Sequence, residues 1–253
     1  MVRLVPELPE AERARTLIAD HAVGRLIIAV EDSDAYVCRP HGAGEIAAAL
    51  TGRRLIRANR IGKMVWCETD GNGPDLGLHL GMAGRITINE EPHDRWDRFA
   101  LTFEDGTRMA LRDKRRLGRA ILAPDLSRLG PDAAVATPAE FRARVGRGAR
   151  PIKARIMDQS VIAGVGNLLA DETLWQARID PRRAAGELSD QELDELRRAM
   201  RAAVRHALRN GGAHTGTLIP SRTRDGRCPR CGTALSRTRI GGRTTYWCPN
   251  DQR

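Results

Sequence analysis

The spacing of the apolar residues changes near Pro124, and this change most constrains how the chain can fold. Before it, short apolar runs alternate with turn signals: RLIIAV, AYVCR, RLIRANRIG, KMVWCET, LGLHL, GRITI, RFALTF and TRMAL. About eight short strands at this spacing are typical of an antiparallel sandwich. After Pro124 the apolar residues recur at helical spacing, so the sequence predicts a β-rich part followed by a helical part.

Helix signals also occur at the very start of the chain and at two places in its second half. From Glu7 to about His21 the apolar residues follow a near-helical period. TPAEFRARV and LSDQELDELRRAMRAAVRHALRNGG each open with capping-box spacing, with Thr137 and Ser189 as the caps. The sequence therefore predicts an α+β chain in which an N-terminal helix precedes the sandwich.

A cysteine module closes the chain. Cys228 and Cys231 form a C-x2-C pair, and Cys248 is followed three residues later by Asp251. A fourth cysteine would complete a zinc signature around a hairpin that turns at Gly241-Gly242. With Asp251 in the fourth position, two structures stay open: a zinc site of three cysteines and one aspartate, or a hairpin that holds no metal.

The charge balance and the absence of long apolar segments indicate the class of partner. The formal net charge is +10, which favours an anionic partner such as nucleic acid. No apolar stretch is long enough for a membrane span or resembles a signal peptide, so we expect a cytoplasmic protein.

Lysine is rare in this chain. Of the 42 basic residues only Lys63, Lys114 and Lys153 are lysines. A lysine that persists among so many arginines indicates a position where a compact ammonium serves better than a planar guanidinium.

The segment PIKARIMDQSVIAGVGNLLADETLWQARIDP contains two helical stretches around a glycine corner. Gly164 and Gly166 permit a tight double turn, and Asn167 opens the second helix. The backbone N–H groups at such a helix start, together with the Asn167 side chain, can cradle a phosphate. Close packing explains the two glycines equally well.

Six motifs, PELPE, RIGK, HLGMAG, DKRRLG, the glycine corner and the cysteine module, resemble the formamidopyrimidine-DNA glycosylase and endonuclease VIII family of base-excision-repair enzymes. The motifs occur in the family's order and cover nearly the whole chain. The resemblance implies a two-sheet domain over 1–123, a helix–two-turn–helix domain over 124–215 and a zinc-finger-like β-hairpin over 216–253. It also implies that a monomer grips damaged double-stranded DNA.

The resemblance implies catalytic roles near the chain start. Pro6 matches the family's N-terminal proline nucleophile, and Glu7 matches the acid that assists base departure and proton transfer. Lys63 matches a lysine that holds phosphate beside the damaged nucleotide. Glu10 matches the second acid of that motif and is expected to bind DNA.

Further positions match residues that contact DNA in the family. Asn167 and Arg243 match phosphate contacts, and Lys153 lies where the family often has lysine. Met82 and Arg115 match side chains that fill the gap left by an extruded base, because an enzyme that acts on a base within duplex DNA must first flip it out.

The chain departs from the family pattern at several points. Leu117 replaces the aromatic wedge and stacks less well on bases, and Lys114 replaces a proline. Asp251 replaces a metal ligand, and the segment between Gly212 and Cys228 is short for a lesion-recognition loop. The preferred lesion therefore stays open between oxidised purines, oxidised pyrimidines and abasic sites.

The expected function is removal of oxidised or ring-opened bases from DNA, with cleavage of the strand at the resulting abasic site. Two alternatives remain. One is a damage-binding protein that has lost its nucleophile. The other is an abasic-site lyase in which Lys63 or Val2 supplies the amine.

The position of Pro6 inside the written chain conflicts with a role as nucleophile. A peptide nitrogen is delocalised into its carbonyl and does not attack carbon. The rest of the expected apparatus is present, so we expect the working protein to begin at Pro6. Initiation at the Val5 codon and removal of the initiator would achieve this. The alternative is a true extension from Met1, with altered or absent chemistry.

Overall fold

The computed structural model describes residues 5–253, which fold into helices and short strands. The helices are α1 (Leu8–His21), α2 (Glu45–Leu50), α3 (Pro138–Val145), α4 (Ile152–Ile156), α5 (Asn167–Gln176) and α6 (Asp190–Asn210). The strands are β1 (Ile27–Glu31), β2 (Leu55–Ile61), β3 (Met64–Thr69), β4 (Leu76–His79), β5 (Arg85–Ile88), β6 (Asp97–Phe103), β7 (Arg108–Arg112), β8 (Arg119–Leu122), β9 (Ser236–Ile240) and β10 (Arg243–Trp247).

The chain divides into two compact units. The first contains residues up to Pro6 and Glu10–Ser127, and the second contains Glu7–Pro9 and Arg128–Arg253. The three domain ranges expected from the resemblance stay a prediction. No helix of residues 5–253 combines the length and the apolar character that a membrane span requires.

The first unit contains two four-stranded antiparallel sheets. One has the strand order β1-β6-β7-β5 and the other β2-β3-β4-β8. Alternating side chains of both sheets are buried in one apolar core, which also takes in the inner face of α1 through Ala11, Ala14 and Ile18. The prediction of antiparallel sheets with an N-terminal helix is confirmed.

One predicted strand was wrong and one strand was missed. AYVCR forms turns because the Asp34 carboxylate accepts the backbone N–H groups of Tyr36 and Val37, which bends the chain. The missed strand is β8, which pairs with β4 at Leu78 and Ala120. It has only four residues and directly follows an arginine-rich loop, so its apolar pattern is too short to stand out.

The second unit packs four helices around one apolar core. Both predicted capping boxes are present: Thr137 and Ser189 each accept a backbone N–H, from Glu140 and Glu192. Helix α6 ends at Gly211, whose φ of 98° is the left-handed conformation that glycine adopts without strain. Its buried stripe faces α5 and α3.

The cysteine module is a hairpin of β9 and β10 in the second unit. Ile240 pairs with Arg243, so Gly241 and Gly242 form the two-residue turn that the sequence predicts. Both glycines have positive φ, at 55° and 74°, as this type of turn requires.

Candidate functional site

The carboxylate of Glu7 lies on the N-terminus of α5. It accepts backbone N–H groups from Gly166 at 3.0 Å, Leu168 at 2.8 Å and Leu169 at 3.0 Å. The side chain is completely buried. The first N–H groups of a helix have no partner within the helix, and a negative charge there is favoured by the helix dipole. The Glu7 carboxylate therefore caps α5 by accepting its first N–H groups, and these groups in turn stabilise the negative charge of the carboxylate.

The glycine corner is shaped for this carboxylate. A Cβ on Gly166 would lie 2.5 Å from Glu7 Oε1 and 2.6 Å from Glu7 Cγ, closer than atoms can approach. Gly164 has a φ of 110°, and its carbonyl accepts the N–H of Leu8 at 3.1 Å. The expectation that the backbone here cradles a phosphate is wrong for these three N–H groups, because Glu7 already occupies them. Close packing explains Gly166.

Pro6 directly precedes Glu7 and is buried. Its nitrogen is in a peptide bond with Val5 in the written chain. Glu10 is half-buried in the first turn of α1. Val2, named above as an alternative source of an amine, lies outside the described residues.

Lys63 sits in the tight turn between β2 and β3, after Gly62 with its φ of 57°. Burial, and secondly the charge of Lys63, lower the pKa of His79. His79 Nδ1 accepts the N–H of Gly81 at 3.1 Å, so the neutral ring carries its proton on Nε2. His79 is not among the residues that the sequence motifs indicate. The signal that was available is a histidine at the end of an apolar strand, next to the HLGMAG turn.

The Asp113 carboxylate organises the loop that carries Arg115 and Leu117. It is completely buried and accepts the N–H groups of Arg115 at 2.9 Å, Leu117 at 2.8 Å and Gly118 at 2.7 Å. The backbone of the loop is therefore fixed from inside. Arg115 is exposed and Leu117 is 40 % exposed.

The loop with Met82 lies against this one. A Cβ on Gly81 would stand 2.5 Å from the Leu117 carbonyl oxygen and 2.6 Å from the Gly118 nitrogen. The two backbones touch at Gly81, which also has a φ of 62°. Met82, which is partly buried, and Leu117, which is exposed, therefore belong to two loops of the first unit that contact each other.

Lys153 is completely buried in the second unit. Its ammonium donates to Asn167 Oδ1 and to Thr245 Oγ1, both at 2.7 Å, and forms an ion pair with Asp171 Oδ1, also at 2.7 Å. Burial lowers the pKa of Lys153, and the neighbouring Asp171 opposes that shift. Asp171 also pairs with Arg222 at 2.8 Å. The prediction that Lys153 contacts DNA does not fit a side chain with no exposed surface.

Arg243 is exposed at the start of β10. The hairpin turn beside it lies close to α4, since a Cβ on Gly241 would be 3.2 Å from Ala154 Cβ. The next residue, Thr244, accepts from Lys153 at 3.3 Å through its carbonyl. Lys153 therefore contacts both Asn167 and the strand that carries Arg243.

The three cysteines of the hairpin form a cluster that fits zinc. Their sulfurs lie within 4.8 Å of one another, which corresponds to three corners of a tetrahedral thiolate site. Hydrogen bonding with Thr233 lowers the pKa of Cys231 to about 6, whereas burial raises the pKa of Cys248 to about 11. The indole N–H of Trp175 donates to Cys228 Sγ at 3.3 Å, which supports a charged sulfur. Cys228, Cys231 and Cys248 would hold the ion.

Asp251 has other partners. Its carboxylate forms an ion pair with Arg230 and a second one with Arg178 at 3.5 Å. The guanidinium of Arg230 lies 4.1 Å from the centre of the Trp175 ring and donates to the Trp175 carbonyl at 3.2 Å. Asp251 is not in the cysteine cluster, and its role as fourth ligand stays a prediction.

Comparison with known proteins identifies the family. The formamidopyrimidine-DNA glycosylase N-terminal domain matches residues 5–120, and the formamidopyrimidine-DNA glycosylase H2TH domain matches 129–218. The zinc finger found in FPG and IleRS matches 226–253. The chain belongs to the formamidopyrimidine-DNA glycosylase family. The predicted family, fold class and zinc-finger region are thereby confirmed.

Individual members of the formamidopyrimidine-DNA glycosylase family match over their full length. One from Roseiflexus sp. is 36 % identical over 274 residues, covering 98 % of this chain and 100 % of the relative. Lactococcus lactis Fpg, solved with DNA containing an abasic site, has a TM-score of 0.86 at 25 % identity, with 98 % and 99 % of the chains covered. MutM with DNA containing carbocyclic 8-oxo-G has a TM-score of 0.86 at 26 % identity, with 98 % and 100 % covered.

Replacement of Gly166 by alanine tests the contact between the Glu7 carboxylate and the backbone at Gly166. We expect Gly166→Ala to lower the free energy of unfolding by about 2 kcal/mol or more, because a buried carboxylate loses its donors. Denaturant unfolding measures this loss. In a Glu7→Ala background the space for a Cβ exists, so the same substitution should cost much less. Equal costs in the two backgrounds would contradict the contact.

Replacement of Asp251 by alanine tests the metal site. We expect elemental analysis to find one zinc per chain in the unsubstituted protein and in Asp251→Ala, since three thiolates bind the ion and Asp251 pairs with arginines. Cys231→Ser is the matched control and should lose zinc. Zinc present in the unsubstituted protein but lost in Asp251→Ala would make Asp251 the fourth ligand. A protein without zinc would indicate the metal-free hairpin.

Proposed function

We propose that this protein removes oxidised or ring-opened bases from duplex DNA through the amine of Pro6 and then cleaves the strand at the abasic site. Membership of a base-excision-repair glycosylase family makes it a DNA glycosylase. The observation that carries the mechanism is the buried Glu7 carboxylate, which fixes the residue next to Pro6 on the start of α5.

The chemistry needs a secondary amine at Pro6. As the Pro6 nitrogen bonds to C1′ of the damaged nucleotide, the C1′–base bond breaks, and the base leaves with its electron pair and takes up a proton. The nitrogen then gives up its N–H proton, and the C1′–O4′ bond breaks as O4′ takes up a proton, which leaves an iminium ion between the nitrogen and C1′. A base removes a C2′ proton, the C–H electron pair forms an enamine with the iminium ion, and the enamine electrons expel the 3′ phosphate from C3′.

The working protein therefore begins at Pro6. A free α-amino group has an ordinary pKa of about 8, so a useful fraction is neutral at physiological pH. The match to the N-terminal family domain begins at residue 5, which supports a start at Pro6. Initiation at the Val5 codon followed by removal of the initiator would produce this terminus.

Glu7 serves the reaction as a charged group. Three backbone donors stabilise the ionised form of its carboxylate. An anion at this position favours positive charge on the neighbouring nitrogen, first as iminium and then during elimination. It also lies near enough in the chain to take part in proton transfer, while Glu10 supports the first turn of α1.

The contacts with DNA divide into two kinds. Lys63, Asn167 and Arg243 bind phosphates and so set the position of the duplex without reading its sequence. Met82, Arg115 and Leu117 fill the gap that the extruded base leaves, since their two loops touch at Gly81. The zinc held by the three cysteines stabilises the hairpin that presents Arg243. The protein acts as a monomer in the cytoplasm, on the nucleoid.

One observation favours a second function for the chain as written. With Val5 attached, the Pro6 nitrogen is an amide, and such a protein binds damaged DNA without cutting it.

Two forms of the protein, one beginning at Met1 and one at Pro6, test the function. Each is incubated with duplexes that carry 8-oxoguanine, a ring-opened guanine, an oxidised pyrimidine, an abasic site or no lesion. We expect the Pro6 form to release damaged bases and nick the strand, and the Met1 form to bind equally well without cutting.

Glu7→Gln in the Pro6 form is the control for contaminating nucleases, and it should lose base release. Equal cutting by the Met1 form would assign the amine to another residue, such as Lys63. Binding without cutting by both forms would establish the damage-binding alternative.

A further inference from the structure

The interior position of Lys153 raises the question of what a buried ammonium does in a DNA-binding unit. Its side chain has no exposed surface, so no phosphate can reach it. Burying an ammonium is costly unless ion pairs and hydrogen bonds compensate. Here Asp171, Asn167 and Thr245 all lie 2.7 Å from Nζ. The Thr244 carbonyl is a fourth acceptor at 3.3 Å, so acceptors surround the ammonium and fix its position.

The ammonium determines which way the Asn167 amide faces. Lysine offers only donors, so the atom of Asn167 that contacts it must be the carbonyl oxygen Oδ1. The Nδ2 group therefore points away from Lys153. Among residues 5–253, the hydrogen bond of the Asn167 side chain is the one that its Oδ1 accepts from Lys153. Asn167 as a whole is half-buried.

The charges around the ammonium come from three elements. Asp171 belongs to α5, Arg222 follows the short helical turn Ile219–Ser221, and Glu7 precedes α1. Glu7 holds the N–H groups of Gly166 and Leu168, on either side of Asn167. Glu7 thus fixes the backbone on both sides of Asn167, and Lys153 fixes the oxygen of its side-chain amide.

We propose that Lys153 is a positioning residue that orients Asn167 so that Nδ2 donates to a DNA phosphate. The proposal rests on the phosphate contact of Asn167 in the proposed function. An amide held in its binding orientation loses little conformational freedom on binding, and this raises affinity without a further contact to the ligand. Lys153 itself neutralises no phosphate.

Asn167→Asp separates the two atoms of the amide. The aspartate keeps an oxygen for Lys153 and removes the Nδ2 donor. We expect this variant to be as stable to denaturant as the unsubstituted protein, because a new ion pair with Lys153 forms. Its affinity for an undamaged duplex should fall by about tenfold or more, at least as far as that of Asn167→Ala.

Lys153→Met tests the positioning itself. We expect an affinity loss comparable to that of Asn167→Ala, and no additional loss when the two substitutions are combined. Lys153→Met leaves Asp171 with Arg222 as its ion-pair partner. If that variant fails to fold, Lys153→Met with Asp171→Asn removes both members of the Lys153–Asp171 pair and serves in its place. Thr173→Val is the matched control, since Thr173 is buried on α5 and its hydroxyl has no partner among the described residues. It should bind DNA normally.

The salt dependence distinguishes positioning from direct contact. A lysine that binds a phosphate contributes roughly 0.9 to the slope of log affinity against log salt. We expect the slope of Lys153→Met to equal that of the unsubstituted protein. A slope lowered by that amount, or full affinity in Lys153→Met alongside weak binding by Asn167→Ala, would overturn the proposal. Full affinity in both Asn167 variants would instead show that the proposed phosphate contact itself fails.

Discussion

The Glu7 carboxylate on the N-terminus of α5 is the interaction on which the rest of the functional site depends. It joins the start of the chain to a helix about 160 residues later in sequence through three hydrogen bonds. It accounts for Gly166, whose missing side chain leaves room for the carboxylate. It also fixes the residue that follows Pro6. A charge that serves as a helix cap in the folded state thus stands next to the nitrogen proposed to attack DNA.

The hairpin is secured to the helical part of its unit by contacts that do not require zinc. Lys153 and Arg222 both donate to the Thr244 carbonyl, and Arg230 donates to the Trp175 carbonyl while Asp251 holds its guanidinium. Asp251 pairs with Arg230 and Arg178, and its role as fourth metal ligand stays a prediction.

The parts of the structure that local signals determine could be predicted, and the parts that depend on distant partners could not. The capping boxes at Thr137 and Ser189 and the Gly241-Gly242 turn follow from neighbouring residues alone. The burial of Lys153 follows from Asp171 and Thr245, which only the tertiary fold brings together. In the same way, the glycine corner was recognised from its pattern, but its occupant, Glu7, lies far away in sequence. The turn at AYVCR was missed because the Asp34 side chain overrides the strand propensity of that segment.

The most direct test of this account is the location of the covalent intermediate. The protein purified from its native host is treated with borohydride in the presence of an abasic duplex, which reduces an iminium ion to a stable amine. Digestion and mass spectrometry then identify the modified residue. The account predicts one adduct, on the α-nitrogen of an N-terminal Pro6. An adduct on Lys63, or on a chain that still begins at Met1 or Val2, would contradict it.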